Sequence, residues 1–489
     1  MTDDRPWLAS YPAGVPADVV ADRPVTHELV DAAADHPSRV AVDFLGAVTT
    51  YSSLLRRVDR AAGALVALGV RPGDRVAVVL PNCTTHVVLF YAALRIGAVV
   101  VEHNPIYTTA ELAHQLRDSG ASVALVWTNA VDRVLACALD DVIVVAVDLA
   151  ADLPGVPRAA LHLPVRRARV PRQARGATVP AGIPRWERLV KNASPIAADH
   201  PHPGLDDLAL LQYTGGTTGT PKGAMLSHAN LAINAARGQA WTQASRGTEV
   251  VLAALPFFHA FGMTLCLTYA IRIAATLAVV PRFDVDQVLD AHRRRPLTFV
   301  PGVPPMFERL AAAARERGVD LSSARYSISG AMALPAATAE AWEDVTGGLL
   351  VEGYGMTETS PVALGSPLTE DRRPGLLGVP FPSTRARVAD PDDPSRTVAP
   401  GERGELLVAG PQVFAGYWQR PTETAAALIE LDGRTWLRTG DIVVEEPGGF
   451  LRLVDRIKEI IITGGFNVYP SQVEDHLRRM PEIADVAVV

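Results

Sequence analysis

Tyr213-Thr-Gly-Gly-Thr-Thr-Gly-Thr-Pro-Lys-Gly223 places four glycines, four threonines and one lysine in eleven residues, a composition suited to enclosing an anion rather than filling a core. Glycine lets backbone N–H groups come close to a phosphate, threonine hydroxyls donate further hydrogen bonds, and Lys222 adds a positive charge on a long side chain. A kinase-type phosphate loop needs lysine directly after glycine and then serine or threonine to hold Mg²⁺. Here Pro221 precedes Lys222 and Gly223 follows it, so the polyphosphate loop is of another kind. Leu208-Ala-Leu-Leu211 reads as a buried strand leading in, and Ala224 to Asn234 as a short return and a helix capped at Ser227.

Working outward, the same strand-and-helix grammar fills the N-terminal half. Leu54, Leu55, Val58, Leu65 and Leu68 recur at helical spacing, and a Pro72-Gly73 turn leads into the strand Arg75-Val-Ala-Val-Val-Leu80. Comparable units run from Val87 through Val101 and from Thr109 through Trp127. Helices alternating with wholly apolar strands predict parallel sheets covered on both faces. Beyond Pro380 short strands separated by turns, such as Arg385–Ala389, Gly404–Gly410 and Phe450–Val454, predict a small β-rich subdomain.

At 489 residues the chain exceeds one ordinary core, and 48% hydrophobic with 20% charged residues is a soluble, globular balance. A formal charge of −7 and the lack of a basic stripe argue against nucleic acid as a partner. Cys83, Cys137 and Cys266 are isolated, which fits neither a zinc pattern nor a disulfide framework and suits a reducing cytoplasm. The opening Met-Thr-Asp-Asp-Arg-Pro lacks a signal-peptide profile, and the apolar stretch Val87–Val101 is interrupted by Arg95. Between Asp152 and Lys191, nine basic residues and six prolines break the pattern. Two readings stand there: a solvated connecting insertion, or a patch resting on anionic lipid at the inner membrane face through Leu161, Leu163 and Trp186.

Downstream of the glycine-threonine run come Pro256-Phe-Phe-His-Ala-Phe-Gly262, Gly353-Tyr-Gly-Met-Thr-Glu358, Thr439-Gly-Asp441 and Asp455-Arg-Ile-Lys458. In that order and spacing the chain resembles the adenylate-forming, AMP-binding superfamily of acyl-CoA synthetases, peptide-synthetase adenylation domains and luciferases. Asn104-Pro-Ile-Tyr-Thr108, Leu112-Ala-His-Gln-Leu116 and Phe299-Val-Pro-Gly-Val-Pro304 look most like long-chain fatty acid CoA ligases. The resemblance implies ATP, Mg²⁺ and CoA, with a carboxylic acid as the small-molecule partner. It assigns Thr214, Gly215, Gly216, Thr217, Thr218, Gly219 and Lys222 to the phosphates, Glu358 to Mg²⁺ and Thr357 to the α-phosphate. Tyr354, with Gly355 and Met356 in the same motif, would face adenine opposite Gly330, Ala331 and Met332, while Asp441 and Arg456 would hold the ribose. His259, between Phe258 and Phe261 and followed by Gly262, would gate an acyl pocket, although a plain core histidine fits the sequence too. Likewise, Gly262–Ala270 reads equally as tunnel lining or as core.

The implied fold is α/β: a large N-terminal domain over residues 1–454, made of two αβ-layered sheets and a β-rich subdomain, a hinge at 455–458 pivoting on Lys458, and the start of a small α+β domain over 459–489. Gly464, Gly465 and Phe466 resemble the loop that faces CoA. The family's later catalytic lysine has no counterpart before the last residue, Val489; if it acts as other preorganised donors do, its absence costs about 3 kcal/mol, roughly a hundredfold in rate. The same reading expects a weakly docked tail after Lys458. The expected activity is ATP-dependent acyl-CoA synthesis through an acyl-adenylate, the alternatives being an acyl-AMP ligase that loads a carrier protein or a nucleotide- and acyl-binding fragment with little turnover.

Overall fold

The αβ units of the N-terminal half close into a six-stranded sheet. In the computed structural model, which describes residues 5–155, 177–214 and 220–457 together with 461–463, 466–468 and positions 477, 480 and 486, its order is Ile143–Val147, Val123–Trp127, Arg75–Val79, Val99–Glu102, Leu208–Thr214 and Lys222–Ser227. Every neighbouring pair is parallel except the last, which is antiparallel and whose connection includes residues 215–219. Those five residues lie outside the described set.

The helices obey local rules. Thr50 caps Tyr51–Ala67 by accepting from the Ser53 N–H. Thr108 and Glu111 form a reciprocal capping box before Thr109–Ser119, and Gly120 ends that helix with φ 61°. Ser227 and Asn230 make the same reciprocal pair at the start of His228–Thr242, as the sequence predicts for Ser227.

A second sheet of nine strands lies beside the first. Its order is Val379–Pro380, Val362–Gly365, Leu349–Gly355, Tyr326–Ser329, Phe299–Gly302, Val250–Ala253, Thr276–Val279, Val40–Phe44 and Ala47–Thr50. The N-terminal hairpin is thus an edge of a sheet built mainly from residues beyond 250. One apolar core runs between the sheets, with Val76, Val100 and Leu210 of the first and Val42, Val251 and Leu277 of the second all buried in it. Arg385–Ala389, Arg403–Ala409, Arg434–Glu446, Leu428–Leu431 and Phe450–Arg456 form the expected β-rich subdomain, a third sheet that is antiparallel throughout.

The lipid-patch reading loses one of its anchors. Trp186 begins the short helix Trp186–Asn192 and is only 4% exposed, packed into the main core, so it has no surface to offer a bilayer. Residues 156–176, including Leu161 and Leu163, lie outside the described residues. Among the described residues no helix is long and apolar enough to cross a membrane. Lys458, the expected hinge pivot, and with it most of 459–489 and the expected loose docking of that tail, also lies outside; Ile461–Thr463 and Phe466–Val468 form an antiparallel pair.

Gly63, in the middle of Tyr51–Ala67, lets the segment 194–196 cross the helix: a Cβ there would lie 1.9 Å from the Ser194 carbonyl oxygen, and the Ile196 N–H donates to the Asp59 carbonyl at 3.0 Å. Helix propensity alone would make Gly63→Ala stabilising by up to about 1 kcal/mol. Packing predicts the opposite sign, a loss of roughly 1–3 kcal/mol, which chemical denaturation of the purified variant measures directly.

Candidate active site

A cavity of about 900 Å³ opens where the C-terminal ends of the parallel strands in the first two sheets meet the third sheet. Ligands of open α/β sheets bind at such strand ends. Glu102 and Gln212–Thr214 reach it from the first sheet, Ile328 and Val351–Gly355 from the second, and Thr439–Asp441 with Arg456 from the third. Most of the residues singled out in the sequence therefore converge on one space.

On the third-sheet side, the Tyr354 phenol donates to Asp441 Oδ2 at 2.5 Å, and Arg456 Nε lies 3.1 Å from Asp441 Oδ1. Asp441 and Arg456 are direct cross-strand partners, which fixes this ion pair by register. The Thr439 hydroxyl accepts from the Asp441 N–H and donates to the Leu406 carbonyl, holding the turn. Burial raises the Asp441 carboxyl above the usual carboxylate range, the Tyr354 hydrogen bond and Arg456 pulling the other way. Burial and the Asp441 charge push the Tyr354 phenol well up, so it remains a donor.

The Gly353–Glu358 motif turns sharply beside this group. A Cβ on Gly355 would lie 1.8 Å from the Pro361 carbonyl oxygen, so only glycine allows the strand to pass. Thr357–Thr359 then forms a single tight helical turn in which Glu358, 5% exposed, accepts from the Tyr417 hydroxyl at 2.6 Å. Met356 and Thr357 line the cavity, as do Gly330 and Ala331, the latter with φ 65°. Met332 does not: it is 59% exposed and absent from the cavity lining, unlike its expected place in the adenine wall.

Lys222 faces Thr214 across the antiparallel pair, and its Nζ sits 4.3 Å from the centroid of the Tyr417 ring. The residues between them, Gly215, Gly216, Thr217, Thr218 and Gly219, are outside the described residues, as are Lys458, Gly464 and Gly465; only backbone is described for Phe466.

The Pro256–Gly262 loop is held from behind. Asn82 donates to the Leu255 carbonyl and accepts from the Phe257 N–H, and the Gln212 amide donates to the Phe258 carbonyl. His86, bonded to Glu102 at 3.0 Å with both side chains fully buried, packs edge-on against Phe257. His259 is open to the cavity rather than a core histidine. Its Nδ1 accepts from the Phe261 N–H, and surrounding protein lowers its pKa by desolvation, leaving a neutral ring with the proton on Nε2. Gly262 is displaced from the expected substrate role. It does not line the cavity, and a Cβ there would lie 2.1 Å from the Pro256 carbonyl oxygen, so its smallness serves the loop.

The far wall went unread in the sequence. Asn234, Gly238 and Trp241 line the cavity from one face of His228–Thr242, joined by Tyr269, Phe299 and Phe381. Trp241 stacks on Phe381 with centroids 4.5 Å apart. The spacing of Asn234, Gly238 and Trp241 at i, i+4 and i+7 was the available signal. Among Gly262–Ala270, which forms a wide π-helical turn at Met263–Tyr269, Thr264, Leu265 and Tyr269 face the cavity while Cys266 and Leu267 are core. Both sequence readings of that segment are therefore partly right. Cys83, Cys137 and Cys266 are all buried, and none lines the cavity.

The arrangement can hold a nucleoside at a carboxylate, an anion beside Lys222, and an apolar or aromatic body against the far wall. Comparison with known proteins gives the family. The AMP-binding enzyme family matches residues 29–418, and the chain belongs to that family. It is 36% identical over 498 residues to a long-chain-fatty-acid–CoA ligase of Bacillus subtilis, covering 100% of this chain and 86% of the relative. Over 461 residues it is also 36% identical to a feruloyl-CoA synthase of Amycolatopsis, covering 93% and 82%. Among solved structures, ATP-bound MatB from Rhodopseudomonas palustris superposes with a TM-score of 0.80 at 31% identity, covering 95% of this chain and 85% of that one.

Because burial raises the Asp441 pKa, its ionised form weakens the fold above that raised value, and the cost disappears as pH falls through it. Asp441→Asn is expected to raise the ligand-free thermal midpoint at neutral pH. The gap between variant and parent should close in acid, where both side chains are neutral; differential scanning calorimetry across pH measures it.

Proposed function

We propose that the protein is an ATP-dependent acyl-CoA synthetase that activates a long-chain fatty acid as its adenylate and passes the acyl group to CoA. The reading rests on Tyr354, Asp441 and Arg456 sharing one cavity with Lys222, Glu358 and a largely aromatic far wall. The long-chain-fatty-acid–CoA ligase relative supports both the thiol acceptor and the acid. Asp441 accepts from the ribose hydroxyls, steadied by Arg456, and Tyr354 gives adenine a flat face opposite Gly330 and Ala331. Lys222 and Thr214, with Thr217, Thr218 and the glycine N–H groups, take the phosphates. The acid lies along Trp241, Tyr269 and Phe299 with its carboxylate toward Thr357 and His259.

One carboxylate oxygen attacks the α-phosphorus as the bond to pyrophosphate breaks. The thiol sulfur of CoA then attacks the acyl carbon, AMP leaves with its phosphate oxygen, and the thiol proton is lost. The chain's contribution is orientation and charge stabilisation. Glu358 is a buried carboxylate with a fixed rotamer at the cavity wall, a hard-oxygen ligand that fits Mg²⁺; when bound, the ion neutralises phosphate charge. His259, protonated on Nε2, is a neutral donor for the acid. The Gly464–Phe466 loop is assigned to CoA and Lys458 to the hinge.

A second reading, an aromatic acid in place of an aliphatic one, is favoured by Trp241, Tyr269, Phe299 and Phe381 in the far wall and by the feruloyl-CoA synthase relative.

Mass spectrometry of products after incubation with ATP, Mg²⁺ and either hexadecanoic or ferulic acid, with and without CoA, tests these readings. Hexadecanoyl-CoA is the expected product; feruloyl-CoA alone selects the second reading. Adenylate that turns over only when a carrier protein is added favours an acyl-AMP ligase, and no AMP with any acid overturns the proposal. Lys222→Ala is expected to slow adenylate formation by on the order of a hundredfold, read as pyrophosphate release.

A further inference from the structure

The segment 411–418 connects the third sheet to the short helix Pro421–Ala427, and its backbone is tied to both halves of the nucleotide site. On one side the Phe414 N–H donates to the Glu358 carbonyl at 2.9 Å, and the Ser360 hydroxyl to the Gln412 carbonyl at 2.9 Å. On the other, the Met225 N–H donates to Gly416, the Ala415 N–H to Met225 and the Trp418 N–H to Gly223, at 2.9, 3.1 and 2.8 Å. The segment therefore runs as an extra strand beside the one that begins at Lys222. Gly416, with φ 131°, permits this path, since a Cβ there would lie 2.6 Å from Thr424 Cγ2. The Tyr417 N–H is held by the Thr424 hydroxyl at 2.9 Å.

This framework delivers one side chain between two charges. The Tyr417 hydroxyl donates to Glu358 Oε1 at 2.6 Å, and its ring face lies 4.3 Å from Lys222 Nζ. Phe414 packs edge-on against the ring at 4.8 Å, fixing its plane. Tyr417 is 8% exposed and lines the cavity. Phenylalanine would supply the ring without the hydrogen bond, and leucine neither.

We propose that Tyr417 is a positioning residue for the nucleotide step: its hydroxyl fixes the rotation of the Glu358 carboxylate, and its ring holds the Lys222 ammonium at the cavity until phosphate displaces it. A hydrogen bond to a charged carboxylate is strong enough to set that carboxylate's orientation. A cation on a ring face is held more weakly, so an incoming polyphosphate can draw it away. One residue thus couples the group assigned to the metal with the group assigned to the phosphates. This inference rests on the ligase reading above.

The test follows thermal unfolding of the full chain with ATP alone and with ATP plus Mg²⁺, for the parent, Tyr417→Phe and Tyr417→Leu. The Mg²⁺ concentration giving half-maximal AMP release is measured alongside. For Tyr417→Phe the stabilisation by ATP alone should match the parent, while the extra stabilisation by Mg²⁺ shrinks and the half-maximal Mg²⁺ concentration rises about tenfold, as loss of one charge-assisted hydrogen bond predicts. For Tyr417→Leu the stabilisation by ATP alone should fall as well. Parental Mg²⁺ dependence in Tyr417→Phe overturns the proposal. So does a proportionate loss of both responses in both variants, which marks a merely structural residue. If Tyr417→Leu does not fold, the Mg²⁺ dependence of Tyr417→Phe decides alone. A parent that neither binds ATP with Mg²⁺ nor releases AMP overturns the ligase reading itself, whereas a responsive parent with an unchanged Tyr417→Phe removes only the role of Tyr417.

Discussion

The hydrogen bond from the Tyr354 phenol to Asp441 crosses the seam between the second and third sheets, and the cavity depends on that seam staying closed. Tyr354 ends a strand of the large αβ body, whereas Asp441 lies within a long strand of the β-rich subdomain. The bond fixes the spacing of the two parts at this point, and the register that pairs Asp441 with Arg456 carries the same constraint one strand further.

Around the seam, rigidity comes from places where only glycine fits. Gly355 lets a strand graze the Pro361 carbonyl, and Gly262 lets the His259 loop turn close to Pro256. Asn82, Gln212 and the buried His86–Glu102 pair brace that loop from the first sheet. The cavity is therefore framed by all three sheets, and its shape is a property of their relative placement rather than of any single element.

Much of this was legible in the sequence because it is local. The cap at Ser227 and the apolar strands are set by neighbours within a few residues, and the motif order brought Tyr354, Glu358, Asp441 and Lys222 into one site. What escaped depends on contacts distant along the chain. Nothing near Val40–Phe44 announces that it will pair with Thr276–Val279. Trp186 sits in a basic, proline-rich stretch yet is core, because Leu189 and Val190 bring the same helix against the sheet. Tyr417 carried no local signal at all: its position follows from backbone pairing of residues 415–418 with 223–225, nearly two hundred residues upstream.

The three buried cysteines acquire a meaning from the proposed chemistry. An acyl-adenylate is a mixed anhydride that acylates any thiolate within reach, so a site that makes one in order to deliver it to a chosen thiol must contain no rival. Cys266 lies in the very turn that lines the far wall, yet its sulfur is turned into the core toward the Leu252 carbonyl, and burial raises its pKa far from the thiolate range. Cys83 and Cys137 are likewise enclosed, with raised pKa values. Under the proposed chemistry this placement would keep the chain's own thiols from the activated acyl group and leave it to a thiol that enters from outside.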